Sequence, residues 1–151
     1  MIVIVDTNIV FSAILNINGT IAKLILKYDD VLDFKTSSYL KYEIEKHKFK
    51  LKKISGLADD KLNISINLIF DKINFVEDKE IALKNRHKGY ELSKGIDEND
   101  FLFISLNECF DNSFLWTGDK KLRYGLRNKG YNKVIETSEL LDYAKTIKNN
   151  K

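Results

Sequence analysis

Asp6, Glu43, Asp100 and Asp119 are the residues of this chain with the most chemistry to offer. Asp6 closes the apolar run Ile2-Val3-Ile4-Val5, and Asp119 follows Phe114-Leu115-Trp116-Thr117-Gly118. Asp100 opens an apolar, helix-forming stretch, and Glu43 lies within another segment of helical spacing. Carboxylates brought to one place bind a hard divalent cation through oxygen, and such a cation turns water into a nucleophile toward phosphate. Each acid also has a plainer explanation. Asp6 and Asp119 stand where a helix N-cap is wanted, and Asp97 and Asp100 suit the first turn of the helix that follows them. Glu43 has His47 four residues on, the spacing of a surface pair. Together, though, two strand-end acids, one helix-mouth acid and one inward helical acid would repel one another if they converged without a counter-charge.

The elements that must position them follow from periodicity. Residues 2–5 read as a buried strand, β-branched throughout. Helices are expected over 8–15 and 20–28, a short strand over 31–34, and one long helix from Ser37 or Ser38 through about residue 53. On that helix Leu40, Ile44 and Leu51 form a stripe. Measured from Leu40, Ile44 falls at about 40°, Glu43 at about −60° and Glu45 at about 140°. Glu43 therefore flanks the buried face and Glu45 points to water. Further helices are expected over 58–72, 79–93, 97–110, 120–128 and 138–147, with strands over 74–76, 114–117 and 133–135. Strands alternating with helices argue for an α/β fold with a parallel sheet of about four to five strands covered on both faces. In such sheets the site lies beyond the carboxyl ends of the strands, where Asp6 and Asp119 fall.

At 151 residues the whole chain, 1–151, is expected to be a single domain. The opening apolar run has no basic segment before it and stops at Asp6, too short for a signal peptide or a membrane span. One cysteine, Cys109, excludes a disulfide framework and a cysteine zinc site; in an apolar helix it reads as a bystander. The cytoplasm is the expected compartment. Net charge is +3, with 25 basic and 22 acidic groups. Neutralising four carboxylates with metal would leave a more basic surface around an acidic pocket, which suits a nucleic acid held by its phosphates.

The motifs then supply a resemblance. Val5-Asp6-Thr7-Asn8-Ile9-Val10 resembles the opening motif of the PIN-domain family. Asp97-Glu98-Asn99-Asp100 before Phe103-Ile104-Ser105-Leu106 resembles its central acidic motif, and Thr117-Gly118-Asp119-Lys120-Lys121-Leu122 its closing motif. The match runs over about residues 1–137. The resemblance implies a three-layer α/β/α PIN-like fold and a Mg²⁺- or Mn²⁺-dependent ribonuclease. It implies metal-site roles for Asp6, Glu43, Asp100 and Asp119, with Asp97 as a further ligand, and polar support from Asn8 and Thr117. Many bacterial members are toxins neutralised by a co-expressed antitoxin, so an antitoxin partner and a homodimer are expectations of the same kind. The small residues usual in the helix after the central acid are partly replaced here, by Ser105 and Asn107, which bears on substrate detail.

Oxygen ligands without His or Cys select Mg²⁺ or Mn²⁺ over zinc. In-line attack of water on a phosphodiester would leave a 5′-phosphate and a 3′-hydroxyl. Candidate RNA contacts are Lys46, Lys120, Lys121 and Arg123, with Lys48, Lys50, Lys52, Lys53 and Arg127 as further cations on the same segments. Tyr39 and Tyr42 could stack on bases, whereas Trp116 belongs in the core. Two other readings compete. One is a PIN fold without activity, serving as an RNA- or protein-binding scaffold. The other is a different strand-end-aspartate fold; a dehalogenase-type site wants a second Asp where this chain has Asn8, and the lysine pattern of a receiver domain is absent.

Overall fold

The computed structural model describes residues 1–151. Five strands form one all-parallel sheet: β1 (Ile2–Val5), β2 (Asp33–Ser37), β3 (Asn74–Val76), β4 (Ser113–Trp116) and β5 (Val134–Ile135), in the order β3-β2-β1-β4-β5. Nine helices connect and cover them, which makes the three-layer α/β/α architecture. The order runs outward from β1 through β2 and β3 on one side and through β4 and β5 on the other, so the switch point of the topology lies between β1 and β4. A crevice opens there beyond the carboxyl ends of the strands. Register fixes what faces it. Val5 pairs with Trp116, so Asp6 and Thr117 leave the sheet side by side, and the Asp6 N–H donates to the Trp116 carbonyl at 3.4 Å.

The core explains why β1 and β4 are the deepest strands. Val3, Ile4, Val5, Leu115 and Trp116 are fully buried, and Phe34 and Trp116 pack at 6.0 Å between ring centroids. The Trp116 indole N–H donates to the Thr137 hydroxyl at 3.1 Å, so its one polar atom is satisfied inside the core. Helices α1 (Thr7–Leu15) and α2 (Thr20–Lys27) follow β1. No single helix is long and apolar enough to cross a membrane.

Four expected elements differ. The second strand is displaced toward polar residues: Val31 and Leu32 belong to a turn whose N–H groups donate to the Tyr28 carbonyl, and β2 begins at Asp33. Thr36 and Ser37 are buried in it because their hydroxyls find partners, Thr36 on the Val5 carbonyl at 2.7 Å and Ser37 on the Asp78 carboxylate at 2.7 Å. The long helix is two, α3 (Tyr39–Lys46) and α4 (Lys48–Ser55), broken at His47. His47 has φ −102° and ψ 13°, and its ring meets Phe11 of α1 edge-on at 5.8 Å. The bend lets both halves pack on α1, burying Leu40, Ile44 and Leu51. Two later helices start after a 3-10 turn. Asp78–Glu80, closed by reciprocal Glu77 and Glu80 bonds, precedes α6 (Leu83–Ser93), and Glu98–Asp100 precedes α7 (Phe101–Glu108). Between 3-10 turn and α4 lies α5 (Asp59–Phe70), and the chain ends with α8 (Lys120–Asn128) and α9 (Thr137–Asn149).

Helices α6 and α7 cross closely at Gly89, where a Cβ would fall 2.0 Å from the Ser105 hydroxyl and 2.8 Å from the Phe101 carbonyl. Asn107 is buried, its amide donating to the Tyr131 hydroxyl at 2.8 Å and the Lys133 carbonyl at 2.9 Å. Ser105 and Asn107 are thus interior packing and tethering residues. Their identity reflects how α7 meets α6 and β5, not how substrate is held.

Candidate metal centre

A cavity of about 490 Å³ opens at the carboxyl ends of the strands. Asp6, Glu43, Asp97 and Asp100 line it, with Asn8, and the basic side chains on its wall are His47 and Lys50. Three separate segments deliver these acids: the end of β1, helix α3 and the 3-10 turn that precedes α7. Asp6 is only 3% exposed, at the end of β1. One of its oxygens accepts from the Ile9 N–H at 2.9 Å and so caps α1. Asp119 does the same for α8, accepting from the Leu122 N–H at 3.1 Å. The capping explanation and a ligand role are therefore compatible, since a cap occupies one carboxylate oxygen and leaves the other.

Thr117 joins the two strand-end acids. Its hydroxyl accepts from the Asp119 N–H at 3.1 Å and lies close enough to the Asp6 carboxyl to favour its charged form. Asn8 stands at the cavity surface with its N–H toward Asp6. Glu43, at the inner flank of α3, turns to Thr7 and not to His47: the Thr7 hydroxyl donates to its Oε1 at 2.7 Å. That contact, between the opening motif and a helix 36 residues away, was not visible in the sequence. A hydroxyl next to the first acid was its only signal.

Asp97 and Asp100 divide their tasks. Asp97 caps the 3-10 turn, accepting from the Asn99 N–H at 3.0 Å. Asp100 makes no capping bond and reaches the cavity with both oxygens uncommitted to the backbone. Asp119 lies behind the cavity wall, close enough for its charge to act on both Asp6 and Asp100.

The electrostatics register this crowding. Burial pushes the Asp6 carboxyl up to about 6, against the bonds from Thr117 and the α1 amides, and the Asp119 charge raises it further. Burial likewise pushes Asp100 up to about 7, reinforced by the charges of Asp97, Asp6, Asp119 and Glu43. Every acid singled out thus acts on Asp100. No three of these side chains close into a ready ligand cage. Asp6, Glu43 and Asp97 are each tethered separately, to the Ile9 N–H, the Thr7 hydroxyl and the Asn99 N–H. The donor set still fits a hard divalent cation, because it offers carboxylate oxygens in a polar cavity with no thiolate.

A PIN-domain family model matches residues 4–140. The chain belongs to the PIN-domain family. Comparison with curated proteins yields no match. PIN domains are generally nucleases that use divalent metals, and the parallel sheet with its acid-lined crevice is the nuclease-type fold of that family. Of the cations expected to meet RNA in this PIN domain, Lys46, Lys120 and Lys121 are exposed, on α3 and the first turn of α8. Arg123 is not: it is 4% exposed, and its guanidinium donates to the Thr117 carbonyl at 2.9 Å and to Glu136 at 3.2 Å. Its place is beneath the closing motif, tying the end of β4 to the segment after β5. Arg127 is also engaged, pairing with Glu139 at 3.5 Å.

Proposed function

We propose that this PIN domain is a divalent-metal-dependent endoribonuclease that hydrolyses phosphodiester bonds in RNA. The observation that carries the reading is the gathering of carboxylates from three segments at one crevice, with the Asp119 charge acting on it from outside its lining and the Asp6 and Asp100 carboxyls raised. A fold gains nothing structural from burying Asp6 beside other acids, since Asn or Ser would cap α1 equally well. A cation relieves that repulsion.

Asp6, Glu43, Asp100 and Asp119 would hold Mg²⁺ or Mn²⁺, with Asp97 next to them. When bound, the ion supplies an acidified water and neutralises charge on the phosphate. The protein's own residues orient and exclude. Thr117 fixes the strand-end acids relative to each other, and Thr7 aims Glu43. Water oxygen bonds to phosphorus in line with the P–O3′ bond, which breaks to leave a 5′-phosphate and a 3′-hydroxyl. Lys120 and Lys121 sit on the first turn of α8, where the helix dipole opposes a cation. A phosphate beside them is the natural counter-charge.

On the same reading the protein acts in the cytoplasm as the toxin of a toxin–antitoxin pair, with a cognate antitoxin protein and a homodimeric state as its assemblies. An antitoxin-like reading frame beside the gene supports that role, and its absence favours a housekeeping nuclease. The alternative, an inactive PIN scaffold, draws on the lack of a closed ligand cage. Cleavage of single-stranded RNA with Mn²⁺, blocked by EDTA and lost in Asp6→Asn, separates the two; RNA left intact by the wild-type protein at any divalent ion concentration favours the scaffold.

A further inference from the structure

The two helices that bring Glu43, His47 and Lys50 to the cavity also carry aromatic and basic side chains that the metal chemistry does not use. Tyr39 and Tyr42, on α3, are exposed yet stacked on each other, with ring centroids 5.5 Å apart and planes at 31°. Tyr42 is 58% exposed and keeps a ring face open beside Tyr39. Glu43 of the same helix lines the cavity. At about 100° per residue, Tyr39 and Lys46 lie about 40° and about 60° outward from Glu43, and Tyr42 about 100° outward, reaching back to the others through its contact with Tyr39. Tyr39 also follows directly on β2, at the end of the sheet where Asp6 leaves β1.

The cations along this segment differ in availability. Lys48 lies 3.9 Å from Glu45, Lys52 lies 3.0 Å from Asp59, and the Lys41 ammonium rests over the Phe75 ring at 4.3 Å. Lys46 and Lys50 form no ion pair, although Lys50 lines the cavity that holds Asp6, Glu43, Asp97 and Asp100. The bend at His47, packed on Phe11, is what turns α4 so that Lys50 reaches that cavity.

We propose that Tyr39, Tyr42, Lys46 and Lys50 form a subsite for the single strand flanking the reacting phosphate, the tyrosines stacking an unpaired base and the lysines holding phosphates. Stacking is indifferent to base identity and is closed to paired bases, so the subsite selects unpaired RNA over duplex. The inference rests on the nuclease reading for its meaning, but it concerns binding, and its test needs no turnover.

The test is anisotropy of a fluorescein-labelled single-stranded 12-nucleotide RNA with the full chain in EDTA, where cleavage is suppressed. Tyr39→Ala/Tyr42→Ala weakens binding about tenfold, a loss typical of one stacked base, whereas the double Phe variant binds like wild type. With an abasic strand of the same length the Ala variant loses little, which a merely structural defect would not reproduce. Lys50→Ala reduces the slope of log affinity against log salt by about 0.7, the share of one phosphate on a single strand, and Lys50→Arg restores it. Unchanged binding of the intact strand by the Ala variant overturns the subsite, as does an equal loss on the abasic strand or a covering of the tyrosines by a second protein chain with no effect of RNA. Strand binding as described, together with no cleavage under any divalent cation, leaves the subsite standing and overturns the nuclease reading instead.

Discussion

The strand-end acids Asp6 and Asp119 and the helix-borne acids Glu43 and Asp100 are positioned by different means, all of them in or beside the same crevice. Asp6 and Asp119 are set by β1 and β4, deep strands in fixed register, and each is further pinned as the cap of the helix that follows. Glu43 is held by one hydroxyl from another element, and Asp100 by a 3-10 turn that lends it no capping bond. The first pair therefore has its geometry built into the sheet. The second pair is free to move as charge or cation demands, and Asp100 is the acid on which the repulsion of all the others falls. A site assembled this way joins a rigid half to an adjustable half.

The largest expected effect lies in the rigid half. Asp6→Asn and Asp119→Asn keep their caps and lower cleavage by more than about a hundredfold, beyond the 10–100-fold that loss of a ligand's outer partner costs. Initial rates on single-stranded RNA with Mn²⁺ check this. Asp100→Asn should fall with them, because both its oxygens are free of backbone bonds at the cavity.

The adjustable half should respond to loss of its tether. Thr7→Val releases Glu43 and weakens divalent cation binding by about 10–100-fold, with activity recovering at high Mn²⁺ concentration, while Thr7→Ser stays near wild type. Equal Mn²⁺ affinity in Thr7→Val, by calorimetric titration, would mean that Glu43 needs no help from α1.

Stability against pH sharpens the contrast without any activity assay. Below pH 3.8, the ordinary value, Asp6 is protonated in both folded and unfolded chains. Between there and about 6, the folded protein keeps a proton that the unfolded chain has lost. Stability therefore falls as pH rises through that window, and Asp100 extends the fall to about 7. Metal-free protein should melt lower at pH 8 than at pH 5, and divalent cation should raise the melting temperature more at pH 8. Asp6→Asn removes its share, about 3 kcal/mol at most for an acid raised from 3.8 to about 6, so the variant is more stable than wild type above pH 7. A flat melting profile from pH 5 to 8 speaks against the crowding of the acids.

The smallest effect is the cap itself. Asp119→Ala should lose about 1 kcal/mol more than Asp119→Asn in chemical unfolding, from the freed Leu122 N–H of α8. Equal stabilities would remove the dual role assigned to that residue.

The same division explains what could be read in the sequence. β1 and β4 announce themselves by continuous apolar residues, so the acids at their ends and the parallel α/β class were legible from local pattern. Helical spacing alone put Glu43 beside a buried face. Its tether was not legible, because the Thr7 hydroxyl meets it only through tertiary packing. The break at His47 was hidden for the same reason: nothing in 37–53 interrupts a helix, and the bend follows from packing on Phe11. β2 was misplaced because its buried hydroxyls, Thr36 and Ser37, look polar until their partners on β1 and at Asp78 are in place. Arg123 failed as a surface cation because Thr117 and Glu136 draw it inward, and a buried arginine has no local signature.

The measurement that tests the central claim most directly is cleavage of single-stranded RNA by wild type and Asp6→Asn, each with Mn²⁺ and with EDTA, on samples whose melting shows both folded. The account predicts 5′-phosphorylated fragments from wild type with Mn²⁺ alone and none from the variant under either condition. Cleavage by Asp6→Asn at the wild-type rate, or cleavage by wild type undiminished in EDTA, would contradict it.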